Sequence, residues 1–391
     1  MNILFFYRIY PNFGGVETVT TVLANKFVKD GHQVSIVSIE QPHMELADQL
    51  DSSIEIFKLD YPVCSKANVS KLHDIIIDKK IDCIINQWGL PYKTTQLCNA
   101  AIKSTPCHLV SVLHGSPYTS KVIITAQDKV KNTSNPIKKL AYQAVLKLKE
   151  AVIKWSIRYN VSHNEQYILL SKGFIEPLIK YSRTQKTDNI QAIGNPITIP
   201  VNLSDFSLGN KKRQILYAGR MDFENKRVNR ILDAWQEIAA DYPDWSLVLV
   251  GDGPHKPALL KTISDNNIPR VVFEDFQKDP PIKFFKDASI YMLTSDLEGF
   301  GLVIVESMSY GAVPIVYGSY EAVYDIIDDG ISGYITPQPY SQQATVSCLK
   351  KLMNDDQLRE SMAAKAMEKS SHFSLQSVAE QWYSLFKKLG I

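Results

Sequence analysis

Short apolar runs alternate with helical periods along most of the chain. In the first half, Ile3-Leu4-Phe5-Phe6, Val34-Ser35-Ile36-Val37, Cys83-Ile84-Ile85, Leu109 to Leu113 and Tyr167 to Leu170 read as strands. Runs of this kind, apolar on both faces, fit parallel strands covered by helices on either side. Between the first two runs, Val16 to Asp30 puts Val19, Val22, Leu23 and Phe27 on one helical face, and Gly31 follows as a stop. This predicts a βαβ unit whose first turn, Asn12-Phe13-Gly14-Gly15, is rich in glycine. From Gly194 to Lys212 the period lapses and two prolines appear, as expected of a linker. The pattern then restarts, with strands at Ile215 to Ala218, Leu247 to Val250, Val271 to Phe273, Ile290 to Leu293 and Val313 to Val316. A last amphipathic stretch, Leu375 to Leu389, is placed to pack back on the first half.

The predicted fold class is therefore α/β: two doubly wound, Rossmann-like domains facing a cleft. Their expected bounds are 1–195 and 213–373, joined by a linker at 196–212, with helix 374–391 returning to the first domain. Ligands of such sheets bind beyond the C-terminal ends of the strands. Length agrees, since 391 residues with 45% hydrophobic content exceed one ordinary core. A net charge of +2 argues against nucleic acid as a partner. The charge is split, however: residues 1–195 hold 23 Lys+Arg against 16 Asp+Glu, and the remainder 20 against 25. Five scattered cysteines without a Cys-x-x-Cys pair suggest reduced thiols. With no signal-like start and no apolar run of about 20 residues, a cytoplasmic protein is expected, any membrane contact being peripheral.

Candidate chemistry gathers at predicted C-terminal strand ends. Glu298 and Glu306 bracket Gly299-Phe300-Gly301-Leu302-Val303-Ile304-Val305 where a strand turns into a helix. Carboxylates accept hydrogen bonds from sugar hydroxyls, glycines admit a ligand close to the main chain, and a helix start favours an anion. The plainer alternative is a tight turn whose glutamate caps its own helix. Gly219-Arg220 follows another strand, with Lys226 six residues on. Arg binds phosphate bidentately and Lys adds a point charge, although a solvated helix start would look the same.

These residues resemble the Glu-x7-Glu signature of retaining GT-B glycosyltransferases, specifically glycosyltransferase family 4. Gly219-Arg220 with Lys226, then Val250-Gly251-Asp252-Gly253-Pro254, then Glu298 to Glu306, stand in the family's order, and Gly14-Gly15 with Glu17 and His114-Gly115 match its N-terminal elements. The resemblance spans nearly the whole chain, weaker at about 40–101 and 122–159. It implies that Arg220 and Lys226 hold a diphosphate and that Glu306 binds the ribose. Glu298 and the amides of Phe300, Gly301 and Leu302 would bind the donor sugar and diphosphate. Gly14 and Gly15 would approach the diphosphate, His114 would lie near the sugar, and Gly253 would line the base pocket. On this view Glu298, Arg220, Lys226 and His114 serve catalysis. Transfer would retain configuration, use a UDP-linked hexose or N-acetylhexosamine on family frequency, and extend a glycan or lipid-linked glycan in bacterial surface polysaccharide synthesis. No Asp-x-Asp triplet occurs, so no metal and no other cofactor is expected. The alternatives are a GT-B sugar-nucleotide epimerase and a non-catalytic member that binds sugar nucleotide.

Two departures from the family pattern concern Gly318-Ser319-Tyr320-Glu321, where Asp325 is preferred over Glu321 as the missing acid, and Phe273-Glu274-Asp275, where an acid replaces glycine near the base pocket. Acceptor contacts would come from 87–94 and 117–125. Finally, residues 129–159 carry eight Lys+Arg and one acid, Glu150, interleaved with apolar positions. A basic amphipathic helix of this composition lies on an anionic membrane or packs on its own domain with solvated lysines.

Overall fold

Two parallel sheets organise the chain. A computed structural model describes residues 1–118, 120–202, 204, 206–276 and 280–391, with Lys121 as backbone only. Thr119 of the proposed acceptor loop and Leu203 and Asp205 of the proposed linker lie outside the described residues. The chain divides into two compact units, Met1–Asn195 with Leu375–Ile391, and Pro196–Ser374.

Unit 1 holds strands β1 (Asn2–Ile9), β2 (Gln33–Glu40), β3 (Glu55–Lys58), β4 (Cys83–Asn86), β5 (His108–Leu113), β6 (Gln166–Leu169) and β7 (Ile190–Ala192). Its helices are α1 (Gly15–Lys29), α2 (Lys66–Asp78), α3 (Tyr92–Ala101), α4 (Lys121–Lys131), α5 (Pro136–His163) and α6 (Ile175–Ser182). The order β3-β2-β1-β4-β5-β6-β7 makes β1 the strand at which chain direction across the sheet reverses. Residues Ile3 to Phe6 are fully buried, which is why that run shows no polar alternation. Leu4, Phe6, Ile84 and Leu109 form one core with Leu72 and Ile76 of α2 and Leu97 of α3.

Unit 2 repeats the plan with β8 (Lys212–Ala218), β9 (Ser246–Val250), β10 (Val271–Glu274), β11 (Ala288–Leu293), β12 (Val313–Tyr317) and β13 (Tyr334–Thr336) in the order β10-β9-β8-β11-β12-β13. Helices α7 (Val228–Ile238), α8 (Lys256–Asp265), α9 (Ile282–Asp287), α10 (Leu302–Ser309), α11 (Val323–Ile326), α12 (Gln342–Asn354) and α13 (Asp356–Ser371) cover it. Side-chain caps start the last two: Ser341 accepts from Ala344 N–H and Asp355 from Leu358 N–H. Residues 196–202, within the stretch read as a linker, run along this unit. Ile197 N–H donates to Phe373 O at 2.7 Å, and the Tyr310 hydroxyl donates to Pro200 O at 2.6 Å.

The closing helix α14 (Leu375–Leu389) belongs to unit 1. It buries Val378, Trp382, Leu385 and Phe386, with the Phe386 ring 6.0 Å from Phe27 of α1. Each such burial stabilises by roughly 1.5–3 kcal/mol. The Tyr383 hydroxyl bonds the Asp30 carboxylate beside them.

Candidate functional site

In unit 2 the strand order reverses between β8 and β11, and doubly wound sheets bind ligands at that switch point. The loops leaving these two strands carry Arg220, Lys226 and Glu298. Gly219 has φ +155°, and the Tyr217 hydroxyl donates to Arg220 O at 2.7 Å, so the chain turns sharply out of β8. Asp222, buried behind the turn, then organises both cations. Its Oδ2 accepts from Arg220 Nε at 2.7 Å, and its Oδ1 accepts the N–H groups of Asn225 at 2.7 Å and Lys226 at 2.8 Å. Burial alone would push the Asp222 carboxyl up, but these amide donors and the guanidinium hold it below the usual carboxylate range.

Lys226 Nζ lies 2.5 Å from Glu298 Oε1, with both side chains mostly shielded from water. This ion pair bridges the β8 and β11 loops. A second tie runs beneath the same segment. Asp296 N–H donates to Asn225 O at 2.8 Å, and its carboxylate accepts from Arg227 Nε at 2.5 Å and Arg230 Nη1 at 2.6 Å. Arg230 also donates to Thr294 O at 2.9 Å, and its guanidinium stacks 4.4 Å from the Tyr340 ring centre. Arg220, by contrast, keeps 62% of its side-chain exposure and is open to an anion.

The loop after β9 lies against the β8 loop so closely that only glycine fits. A Cβ on Gly251 (φ +134°) would stand 2.1 Å from Gly219 O, and one on Gly253 would stand 2.3 Å from Met221 O. Beside Gly253 the rings of Phe223 and His255 stack at 4.5 Å. Asp275, the acid near this loop, is exposed and pairs with Lys256 at 2.5 Å.

Gly301 (φ +93°) precedes α10, whose first residue is Leu302, so the first amides of that helix have no intrahelical acceptor. The Phe300 side chain is buried with its ring 5.5 Å from Phe373, leaving its main chain as the part available to a ligand. A Cβ on Gly301 would meet the Tyr320 hydroxyl at 2.7 Å, which places the Gly318–Glu321 segment directly against this turn. Asp325 lies within α11 and Glu321 just before it. Glu306, buried on α10, accepts from the Thr198 hydroxyl at 2.5 Å. Burial pushes its carboxyl up to about 7 against the opposing effect of that bond.

Unit 1 holds the remaining candidates at its own C-terminal sheet edge. Gly14 and Gly15 open α1 after β1, and a Cβ on Gly14 would fall 2.2 Å from Glu17 Oε2, so the carboxylate closes over the glycine. His114 follows β5, and its Nε2 bonds Gln87 Oε1 at the end of neighbouring β4. With Nε2 donating, Nδ1 carries a lone pair. It is buried and finds no hydrogen-bond partner among the described residues. Burial pushes the imidazole down to about 3, so it is neutral at physiological pH.

Thus Arg220, Lys226 and Glu298 meet at one switch point, Gly253 and Gly301 flank it, and Glu306 has its own anchor. Asp222, Asp296, Arg227, Arg230 and Thr198 escaped the sequence reading. Asp222 had a local signal, an acid two residues after Arg220 and placed to cap the turn toward Lys226. Thr198 and Asp296 had none, because their partners are distant in the chain. Among the described residues no group of three His, Cys, Asp or Glu is arranged to hold a metal ion.

Comparison with known proteins adds the family context. Residues 202–369 match the family model described as glycosyl transferases group 1. An uncharacterized glycosyltransferase of Haemophilus influenzae is 25% identical over 97% of this chain and 98% of its own length. The lipopolysaccharide 1,6-galactosyltransferase of Salmonella typhimurium is 25% identical over 44% of this chain and 48% of its own. The crystal structure of Anabaena Alr3699/HepE in complex with UDP and glucose superposes with a TM-score of 0.73 at 18% identity, covering 99% of this chain and 100% of that one. The last likeness establishes the fold, two Rossmann-like α/β domains of the GT-B class, and the homologues are glycosyltransferases.

Proposed function

We propose that this chain is a retaining, metal-independent glycosyltransferase of family 4. It moves a hexose or N-acetylhexosamine from a UDP-linked donor to a glycan or lipid-linked glycan, at the cytoplasmic face where bacterial surface polysaccharide is assembled. The observation that carries the reading is the Lys226–Glu298 pair at the β8/β11 switch point, with exposed Arg220 on the same loop. Two cations offered to one anion suit a departing diphosphate, and positioned charge is the largest catalytic lever for such a step. As the anomeric C–O bond breaks, Lys226, Arg220 and the first amides of α10 take up the developing charge. Glu298 accepts from donor-sugar hydroxyls, and the acceptor hydroxyl attacks the face the diphosphate leaves, passing its proton to that leaving group. Neutral His114 offers Nδ1 to a sugar hydroxyl. Glu306 binds the ribose, and Gly253 with the Phe223–His255 stack borders the base. Gly14 and Gly15 give a diphosphate close access to the main chain of unit 1. The UDP of the Anabaena structure and the lipopolysaccharide acceptor named for the Salmonella relative support the donor and acceptor classes. Peripheral contact of 129–159 with an anionic membrane belongs to the same proposal.

A thermal-shift screen of UDP-, GDP- and ADP-sugars tests the donor, followed by product analysis with and without EDTA. Conversion of a free sugar nucleotide to its epimer without an acceptor would overturn the reading. So would activity that EDTA abolishes, as far as the metal is concerned.

Two further outcomes follow. Asp222→Ala removes the cap that sets the Lys226 amide and the partner of Arg220 Nε, so kcat should fall roughly tenfold or more while donor KM changes less. Equal kcat in the two proteins would remove Asp222 from the positioning role. The second concerns pH. Ribose hydroxyls bond best to ionised Glu306, and a carboxyl near 7 is mostly protonated at pH 6. Donor Kd should therefore weaken by about tenfold from pH 8 to pH 6, since only the ionised fraction binds fully. Titration calorimetry with UDP-glucose measures this, and Glu306→Gln should flatten the profile.

A further inference from the structure

The first two thirds of α5 leave an apolar face bare. Ile137, Leu140, Ala141, Ala144, Val145, Leu148, Ala151, Val152 and Trp155 are all exposed, Ile137 at 79%, Leu140 at 69% and Leu148 at 66%. At 100° per residue they form one continuous stripe, about 27 Å long at 1.5 Å per residue. The opposite face carries Tyr142, Leu146 and Ile153, each partly buried, and α4 packs on α5 with Ile123 and Ala126 buried. The helix is firmly started, with Asn135 accepting from Ile137 and Lys138 N–H at 3.0 Å and Pro136 following it. The stripe is therefore not an unfinished core. A contiguous exposed apolar surface of this kind marks an interaction site.

The charges beside the stripe identify its partner. Lys138 and Lys149 border one edge, and Lys147 and Lys154 the other, the last with its ammonium 4.8 Å from the Tyr181 ring centre. Glu150, the one acid between 129 and 159, falls on the back face. A second copy of this helix would bring lysine against lysine along both edges with no carboxylate to offset them. Lipid meets both needs: the apolar stripe enters the acyl boundary while lysine stems reach to the headgroups. We propose that α5 docks the protein on an anionic bilayer through this stripe, with Lys138, Lys147 and Lys149 contacting headgroup phosphates. The inference deepens the proposed membrane contact of the transferase. No helix of the described residues is long and apolar enough to cross a membrane, so the contact is peripheral.

Co-sedimentation of the full chain with vesicles tests this. Vesicles of phosphatidylcholine with ~30 mol % phosphatidylglycerol should capture the protein at least tenfold more strongly than phosphatidylcholine alone, and salt should weaken capture. The double variant L140E/L148E, at exposed positions outside the proposed active site, should lose at least tenfold in capture with unchanged circular dichroism and UDP-glucose binding. K138E/K147E should lose the preference for anionic vesicles. Equal capture by both vesicle types, absence of capture, or full capture of L140E/L148E would each overturn the proposal. So would sedimentation as a dimer that L140E/L148E dissociates, which would identify a second copy as the occupant. UDP-glucose titration of the same proteins reads the transferase proposal separately: vesicle capture without nucleotide-sugar binding would sink that reading and leave this one standing.

Discussion

Lys226→Ala should lower kcat for nucleotide release from the donor by roughly 10²–10³-fold, the largest effect expected of any single substitution in unit 2. Removal of one preorganised group at a developing anion costs about 3–4 kcal/mol of transition-state stabilisation. Lys226 fits that role because its ammonium is held rather than free. Its amide is fixed by Asp222 and its Nζ by Glu298 at 2.5 Å. The same pairing raises an objection, since the substitution also strands the Glu298 carboxylate. The double variant Lys226→Ala/Glu298→Gln separates the two effects. If Lys226 served only to neutralise Glu298, the double variant would recover most of the loss. If it stabilises the departing diphosphate, kcat stays low in both. Circular dichroism should show both variants folded, because the pair lies at the strand ends and outside the core. Turnover within threefold of the unmodified protein for Lys226→Ala would end the assignment.

How far the fold was legible depends on where a strand sits in its sheet. The interior strands announced themselves as apolar runs because helices cover both faces, and β1, β4, β5, β8, β9, β11 and β12 fall on those runs. The strands that gave no signal, β3, β7 and β13, are all at sheet edges and only three or four residues long. There, exposed Glu55 and half-buried Gln191 dilute the pattern. The same logic governs the site. Glycines that must meet another main chain, Gly251 and Gly253 above all, sit in short local motifs that a sequence displays. Groups that act across the fold, such as Thr198 on Glu306 or Asp296 under the Lys226 segment, have no spacing to reveal them. The stripe on α5 was visible as a basic amphipathic pattern, but sequence alone left its packing open. Exposure of the apolar side is a property of the folded unit.

Glu306 offers the second large effect, and one with opposite signs for activity and stability. Glu306→Gln should lower donor kcat/KM by about 10²-fold, because an amide cannot accept from both ribose hydroxyls with a full charge behind it. Stability should move the other way. The folded carboxyl lies near 7 and an unfolded one near 4.3, so the folded state favours the proton. That preference supports the fold fully below the unfolded value and is lost as pH rises toward 7. Above pH 7 the fold carries an ionised, buried carboxylate at a cost on the order of 3 kcal/mol. Glutamine removes the charge while keeping the volume and an acceptor for the Thr198 hydroxyl. The variant's Tm should therefore exceed that of the unmodified protein at pH 8, with the gain shrinking toward zero near pH 4, below the unfolded value. A buried carboxylate kept at this cost fits the proposed ribose-binding role, in which donor hydroxyls would add hydrogen bonds to the charged form. Calorimetric scans at the two pH values, beside initial rates with UDP-glucose, read both halves. A variant as active as the parent would remove Glu306 from ribose recognition, and a Tm gain independent of pH would remove the buried charge as its cause.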